Sequence, residues 1–294
     1  VAAIGGLRVT LPADRARLLE VAAIQGPPDA FFDFRGWQRS DEGSFEAVRK
    51  VLTERLIGAS YNDRNLARID LARFYFSYGL ADRTRGVLSQ ISRETPEMER
   101  SPAFRALRGA AALLMGDLKT AREDLDDHGL DQEREIEVWR AAVLAGEGDM
   151  TGAAYGFQQT DRFVAAYPAT LRARFGLTGA QAALAIDDIH VAEFWVDFLK
   201  TTSLTGSQTE RYKLIQAEIA AANGEAQTAI SLYDDISDGR DRYSRTRAGL
   251  DRVELMLEDG RMTPAEAAEQ LDRLRYVWRG DDLEFEVLRR LGEL

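Results

Sequence analysis

The sequence predicts an all-α fold, an α-solenoid of about six helical hairpins behind a helical N-terminal cap, and three observations carry that prediction. Helix-favouring Ala, Leu, Arg and Glu are abundant and only seven prolines occur in 294 residues, while no long alternating Val/Ile/Thr stretch competes for strand. From residue 65 onward one order of small and bulky residues recurs 32 to 39 residues apart, the period of a repeat built from two helices. Each recurrence places a turn residue, glycine in most, between two apolar-periodic halves, as a helix, a tight turn and a second helix require.

Residues 1–43 read as an N-terminal extension and capping segment, and 44–294 as the array, its last repeat truncated. Leu7, Val9 and Leu11 alternate with Arg8 and Thr10 as a short extended piece does, and a disordered end fits this stretch equally well. Ala13 to Ile24 reads as a helix opened by Pro12, with Leu18, Leu19 and Ala22 on one side; Gly26-Pro27-Pro28 ends it. Asp29 is placed to cap a short turn of helix carrying Phe31, Phe32, Phe34 and Trp37. This aromatic cluster reads as a plug over the open apolar end of the array in preference to a ligand platform, because stacked repeats need covered ends. From Ser44, the apolar positions Phe45, Val48, Val51, Leu52, Leu56 and Ile57 fall at helical spacing.

The reference repeat runs from about Asn65 to Pro96. Its scaffold is Ala72, Tyr75, Gly79, Thr84, Leu88 and Ile91, an order in which small side chains face bulky ones so that two antiparallel helices approach closely. The second repeat puts Gly109, Ala112, Gly116, Ala121 and Leu125 at these places. The third uses Ala141, Leu144, Gly148, Ala153 and Phe157, with Trp139 nearby. The fourth uses Ala180, Ala183, Asp187, Ala192 and Val196, with aspartate where the turn glycine stood. The fifth uses Ala217, Ala220, Gly224, Ala229 and Tyr233, with Ile236 closing it. After Arg247 a sixth has a turn lengthened by Asp259 to Pro264 before Ala267, Leu271 and Leu274. Leu288, Leu291 and Gly292 open a further repeat that stops at Leu294, so the natural protein is expected to continue, and the exposed apolar C-terminal end is a candidate for self-association.

Composition and motifs narrow the function classes. A formal net charge of −11 argues against a nucleic-acid partner, since phosphate binding needs a positive field. The chain has no cysteine, which removes disulfides, thiolate metal sites and a cysteine nucleophile. No apolar run approaches 18 residues, so direct membrane insertion is not expected. With two histidines and no GxSxG or glycine-rich phosphate loop, no nucleophile–base set can be named; the chain reads as a non-enzyme without cofactor or metal. Asp187-Asp188-Ile189-His190, with Glu193, has spacing seen in metal sites, but an acidic pair at a helix start reads first as an N-cap. His128 reads as a partly buried helix-end histidine. The acidic runs 123–127 and 281–284 read as solvated helix faces, and Arg240, Arg242, Arg245 and Arg247, interleaved with aspartates, as ion-pair scaffolding.

The Gly-Asp or Gly-Glu turn followed five residues later by alanine, as in Gly116-Asp117 to Ala121 and Gly224-Glu225 to Ala229, makes residues 65–294 resemble the tetratricopeptide repeat family. Leu291-Gly292 matches the family's first helix, and Pro96 and Pro168 stand where its repeats often end; the tryptophan often found early in the first helix is missing or displaced. The resemblance implies a right-handed superhelix whose first helices line a concave groove for an extended peptide or a helix of a protein partner. Groove positions carried over this way are Arg73, Phe76, Ala110, Leu113, Ala142, Arg174, Leu177, Gln181, Leu184, Arg211, Leu214 and Glu218. Ile69, Arg73, Ala106 and Ala110 stand where some members clamp a chaperone's terminal carboxylate, so that clamp is absent. The function expected is a protein–protein interaction scaffold or adaptor. The alternatives are a periplasmic repeat scaffold of a bacterial envelope assembly, for polysaccharide export or motility, and a spacer or regulatory array for a domain elsewhere. Arginine-heavy composition, with only Lys50, Lys119, Lys200 and Lys213, fits a GC-rich bacterial source, and the lack of cysteine leans towards the periplasm over the cytoplasm.

Overall fold

The computed structural model describes residues 26–158, 160–280 and 282–294. Among the described residues there are sixteen α-helices, two short 3-10 helices (Pro96–Arg100 and His128–Leu130) and no strand. The extended piece and the helix expected before residue 25 lie outside the described residues. The chain divides into two compact units, Val1–Thr178 and Gly179–Leu294.

The first unit contains α1 (Phe34–Gln38) and α2 (Phe45–Gly58), then three hairpins. These are α3 (Arg64–Ser77) with α4 (Ala81–Glu94), α5 (Pro102–Leu114) with α6 (Leu118–Leu125), and α7 (Ile136–Gly146) with α8 (Met150–Phe157). The short α9 (Asp161–Ala166), absent from the repeat pattern, and the start of α10 (Ala169–Leu184) complete it. The second unit takes the end of α10, then α11 (Ile189–Leu199). Two hairpins follow, α12 (Gly206–Ala222) with α13 (Ala226–Asp234) and α14 (Arg242–Glu258) with α15 (Pro264–Leu274), and α16 (Asp282–Glu293) ends it.

Each hairpin turn has a local cause. Gly79, Gly116, Gly148 and Gly224 have φ of 73°, 79°, 89° and 75°, the left-handed conformation that ends a helix at little cost without a Cβ. The amide three residues beyond the helix end folds back onto its last turn: Asp117 N donates to Ala112 O, Asp149 N to Leu144 O, and Glu225 N to Ala220 O, at 2.8 to 2.9 Å. The aspartate after the glycine then starts the next helix, since Asp117 accepts from Thr120 N at 3.1 Å and Asp149 from Gly152 N at 2.8 Å. Asp187 takes the glycine's part in the fourth hairpin with φ 57°, and Asp188 caps α11 by accepting from Val191 N at 3.1 Å. His190 is exposed beside Glu193.

The small positions are buried where the helices meet, with Ala72, Ala121, Ala192, Ala217 and Ala229 fully inaccessible. At Gly109 a Cβ would stand 2.9 Å from both Asp124 Cβ and Leu125 Cγ, so only hydrogen fits between α5 and α6. Arginines on second helices tie to the turn of the following hairpin: Arg85 to Asp117 at 2.7 Å and Arg122 to Glu147 at 2.8 Å.

Several expectations change. The end of the first unit is covered by α2, whose Val48 and Leu52 pack on Leu71 and Phe74 of α3, and not by the aromatic cluster, which lies elsewhere. The cap of α1 is Asp33, accepting from Gly36 N at 2.9 Å; Asp29 instead pairs with Arg162 at 2.5 Å. The run 123–127 is not simply a solvated face: Asp124 is buried and accepts from Arg108 Nε and Nη2 at 2.7 and 2.8 Å and from Arg105 Nε at 3.2 Å. His128 is not partly buried. Its side chain is 98% exposed, with Nδ1 3.1 Å from Asp131.

Candidate functional site

In the first unit, the aromatic segment lies against the first helices of the first and third hairpins and against Tyr167, between α9 and α10. Phe32 and Phe34 are 3% and 4% exposed. The Phe32 ring meets Phe76 of α3 and Trp139 of α7, both at 5.4 Å between centroids. Phe34 stacks on Phe76 at 5.5 Å and meets Tyr167 edge-on at 5.0 Å. Trp139 also meets Phe175 of α10 at 4.9 Å and donates through Nε1 to the Tyr167 hydroxyl at 3.0 Å. Rings in edge-on and offset contact add directional energy to their burial.

The backbone of the segment is held by one carboxylate. Glu135, immediately before α7 and 1% exposed by residue surface, accepts through Oε2 from the amides of Phe31 and Phe32 at 2.5 and 3.0 Å. Burial pushes its pKa up to about 7, against the pull of those two amides and the Tyr167 hydroxyl, and Asp29 adds to the rise. Burial also raises Tyr167 well above the ordinary phenol range, with the Glu135 charge adding to it. A cleft of about 320 Å³ opens beside this pair, lined in part by Pro27, Ala30, Arg35 and Phe163.

The groove positions taken from the repeat resemblance divide between the two units. Arg73 stands over the Trp37 ring at 5.3 Å, and Phe76 is wholly buried under the segment. Leu113 and Leu177 are buried in the packing, with Ala110 and Ala142. Arg174 donates to the Leu113 carbonyl at 3.1 Å, a cation set at the C-terminus of α5 where the helix dipole favours it.

In the second unit, Leu214 is buried among Ala217, Ala229, Tyr233 and Ala248, and Leu184 is half-buried. Arg211 and Glu218 stand two turns apart on α12, about 10 Å along the axis. Arg211 donates to Gln181. Glu218 pairs with no described residue, and burial pushes it up to about 8, with Asp251 adding to the rise and Arg247 and Arg211 opposing it. Arg247 of α14 binds Asp251 at 3.0 Å and reaches Glu286 of α16; Asp251 is itself pushed up to about 6 by burial. The ion-pair reading of the arginine cluster therefore applies at Arg247.

Sequence reasoning did not single out Glu135, Tyr167 or Phe175 as members of these sites, whereas Asp251 is among the aspartates read as neutralising the arginine cluster and pairs with Arg247. Tyr167 precedes Pro168, a repeat-end signal, but nothing local marks Glu135 as the acceptor for two amides a hundred residues upstream. Among the described residues no group of three or more His, Asp or Glu is placed to hold a metal ion, and no helix is long and apolar enough to cross a membrane. Compared with known proteins, the chain matches no family model and no curated protein.

Proposed function

We propose that this chain is a tetratricopeptide-like α-solenoid that works as a non-enzymatic scaffold, binding an extended segment of a protein partner across the first helices of its hairpins. The observation that carries the reading is the segment 31–37, which lies against α3, α7 and Tyr167 as a bound peptide would. Two of its amides are taken by Glu135 and its rings by Phe76 of α3, Trp139 of α7 and Tyr167 between α9 and α10. Helical arrays suit this work because their surface is preformed, so the partner bears most of the ordering entropy. Arg211 and Glu218 support the same reading in the second unit: both are polar groups on a first helix, and Glu218 has no ion pair among the described residues.

A peptide display library panned on the full chain, with the winners mapped by cross-linking, tests the proposal. Cross-links are expected on α3, α7, α12 and α14, and the double variant Arg211→Glu, Glu218→Lys should lower the affinity of second-unit binders at least tenfold. Cross-links confined to second helices would overturn the reading.

A further inference from the structure

We infer that the face formed by α3, α7 and α10 in the first unit is a receptor for a short aromatic segment of a partner protein, and that residues 31–37 of this chain occupy it in cis as a displaceable stand-in. The inference rests on the scaffold reading and names the chemistry of one of its sites.

The way the segment is held does not depend on its being part of the same chain. Its backbone is anchored to the cradle through the pair of amides on Glu135, and its apolar anchorage is the burial of Phe32 and Phe34 against Phe76, Trp139 and Tyr167. Any chain with two successive free N–H groups and the same ring spacing makes these contacts. α1 spans only five residues and belongs to no hairpin. The stretch joining it to α2, residues 40–44, is exposed, and it is bounded by the left-handed Arg39 (φ 50°) and includes Gly43 (φ 141°). The segment is thus tethered to the array by an exposed connection. Its flanking ties include an ion pair between Asp29 and Arg162, a hydrogen bond from Gln38 Nε2 to Ser77 O, one from the Tyr78 hydroxyl to Gln38 O, and an ion pair between Arg39 and Asp70.

The cradle also explains why something must sit there. Phe76 of α3, Trp139 of α7, Phe175 of α10 and Tyr167 just before α10 form one continuous apolar face that water would wet at considerable cost if uncovered. A partner suited to it carries an aromatic residue with another two positions on and a third three beyond that, as Phe32, Phe34 and Trp37 do. It lacks proline at the two positions whose amides meet Glu135, and its last ring stacks under Arg73 as Trp37 does. Because a tether gives the cis segment an effective concentration on the order of millimolar, a free peptide competes poorly with it. The site is therefore masked until the segment is weakened or outcompeted.

The test uses the full chain and a fluorescein-labelled peptide spanning residues 28–40. The chain with Phe32→Ser and Phe34→Ser is expected to bind this peptide at least tenfold more tightly than the unaltered chain, and a peptide with alanine at both phenylalanines should bind neither. A variant that keeps its helical circular dichroism and melting transition yet binds no peptide would overturn the inference. If the variant fails to fold, amide exchange in the unaltered chain decides: Phe31 and Phe32 should exchange at least a hundredfold faster than Val143 in α7, and equal rates would make the segment a permanent wall. A dimer abolished by the same double substitution would assign the site to a second copy and overturn the partner assignment. Library peptides that cross-link to α12 and α14 while aromatic peptides fail would leave the scaffold reading standing and remove this inference alone.

Discussion

The amide of Phe32 donates to Oε2 of Glu135 across 3.0 Å, joining residues 103 positions apart. The same oxygen accepts from Phe31. One buried carboxylate thus fixes the backbone of an aromatic segment against helices that are distant from it in sequence, and the titration of that group bears on how firmly the segment is held.

Replacing Glu135 with alanine should destabilise the chain by about 2 to 3 kcal/mol, because two amides lose their acceptor in a dry environment. The glutamine variant keeps an acceptor and should lose about half as much or less. Urea titration of both variants, followed by tryptophan fluorescence, checks this.

The pH dependence follows from sign. Glu135 binds its proton more tightly when folded, at about 7, than in an unfolded chain at about 4.5. Its contribution is therefore fully present below the unfolded value and is lost as pH rises through the folded one. At about 1.4 kcal/mol per unit the loss is on the order of 3 kcal/mol. Glu218, at about 8, and Asp251, at about 6, act in the same direction. In the acid range, paired carboxylates such as Glu99 and Asp117, held below their usual values by hydrogen bonds and arginines, weaken the fold as they protonate. Thermal melts should show greatest stability near pH 5 and a decline towards pH 8, and Glu135→Gln should flatten that decline.

The turns give a paired test. Gly116→Ala should cost about 1 kcal/mol through backbone strain alone, since nothing lies within 4 Å of the added Cβ. Asp187→Gly should gain about 0.5 kcal/mol, as relief of the left-handed conformation is partly offset by the freer unfolded chain. Differential scanning calorimetry resolves both shifts.

Inside the hairpins, Ala121→Trp and Ala229→Trp should each lower stability by about 1 to 3 kcal/mol or more through overpacking, because both alanines are fully buried between paired helices. An unchanged melting temperature would contradict the packing described for α6 and α13.

Removing one arginine from the buried Asp124 leaves an ion only partly paired. Arg108→Ala should cost about 2 to 3 kcal/mol, with Arg105 retaining some of the compensation, and Arg105→Ala combined with it should approach the penalty of about 3 to 5 kcal/mol for a broken buried pair. Denaturant melts of the single and double variants measure the difference.

The sequence by itself determined the all-helical fold and the positions of the hairpins. The signals there are local: helical periodicity, a glycine with positive φ, and an aspartate that caps the next helix act within a few residues of one another, so Gly116-Asp117 and Asp187-Asp188 could be read directly. Only the tertiary structure decided where Phe32 and Phe34 go, which charges are buried, and that Arg211 meets Gln181. Burial of an aromatic ring is driven by area and carries no address, so a covered end and a face built from α3, α7 and Tyr167 were equally open to it. An aspartate such as Asp124 shows its sign in the sequence, but whether it meets water or two arginines depends on helices brought together by the fold.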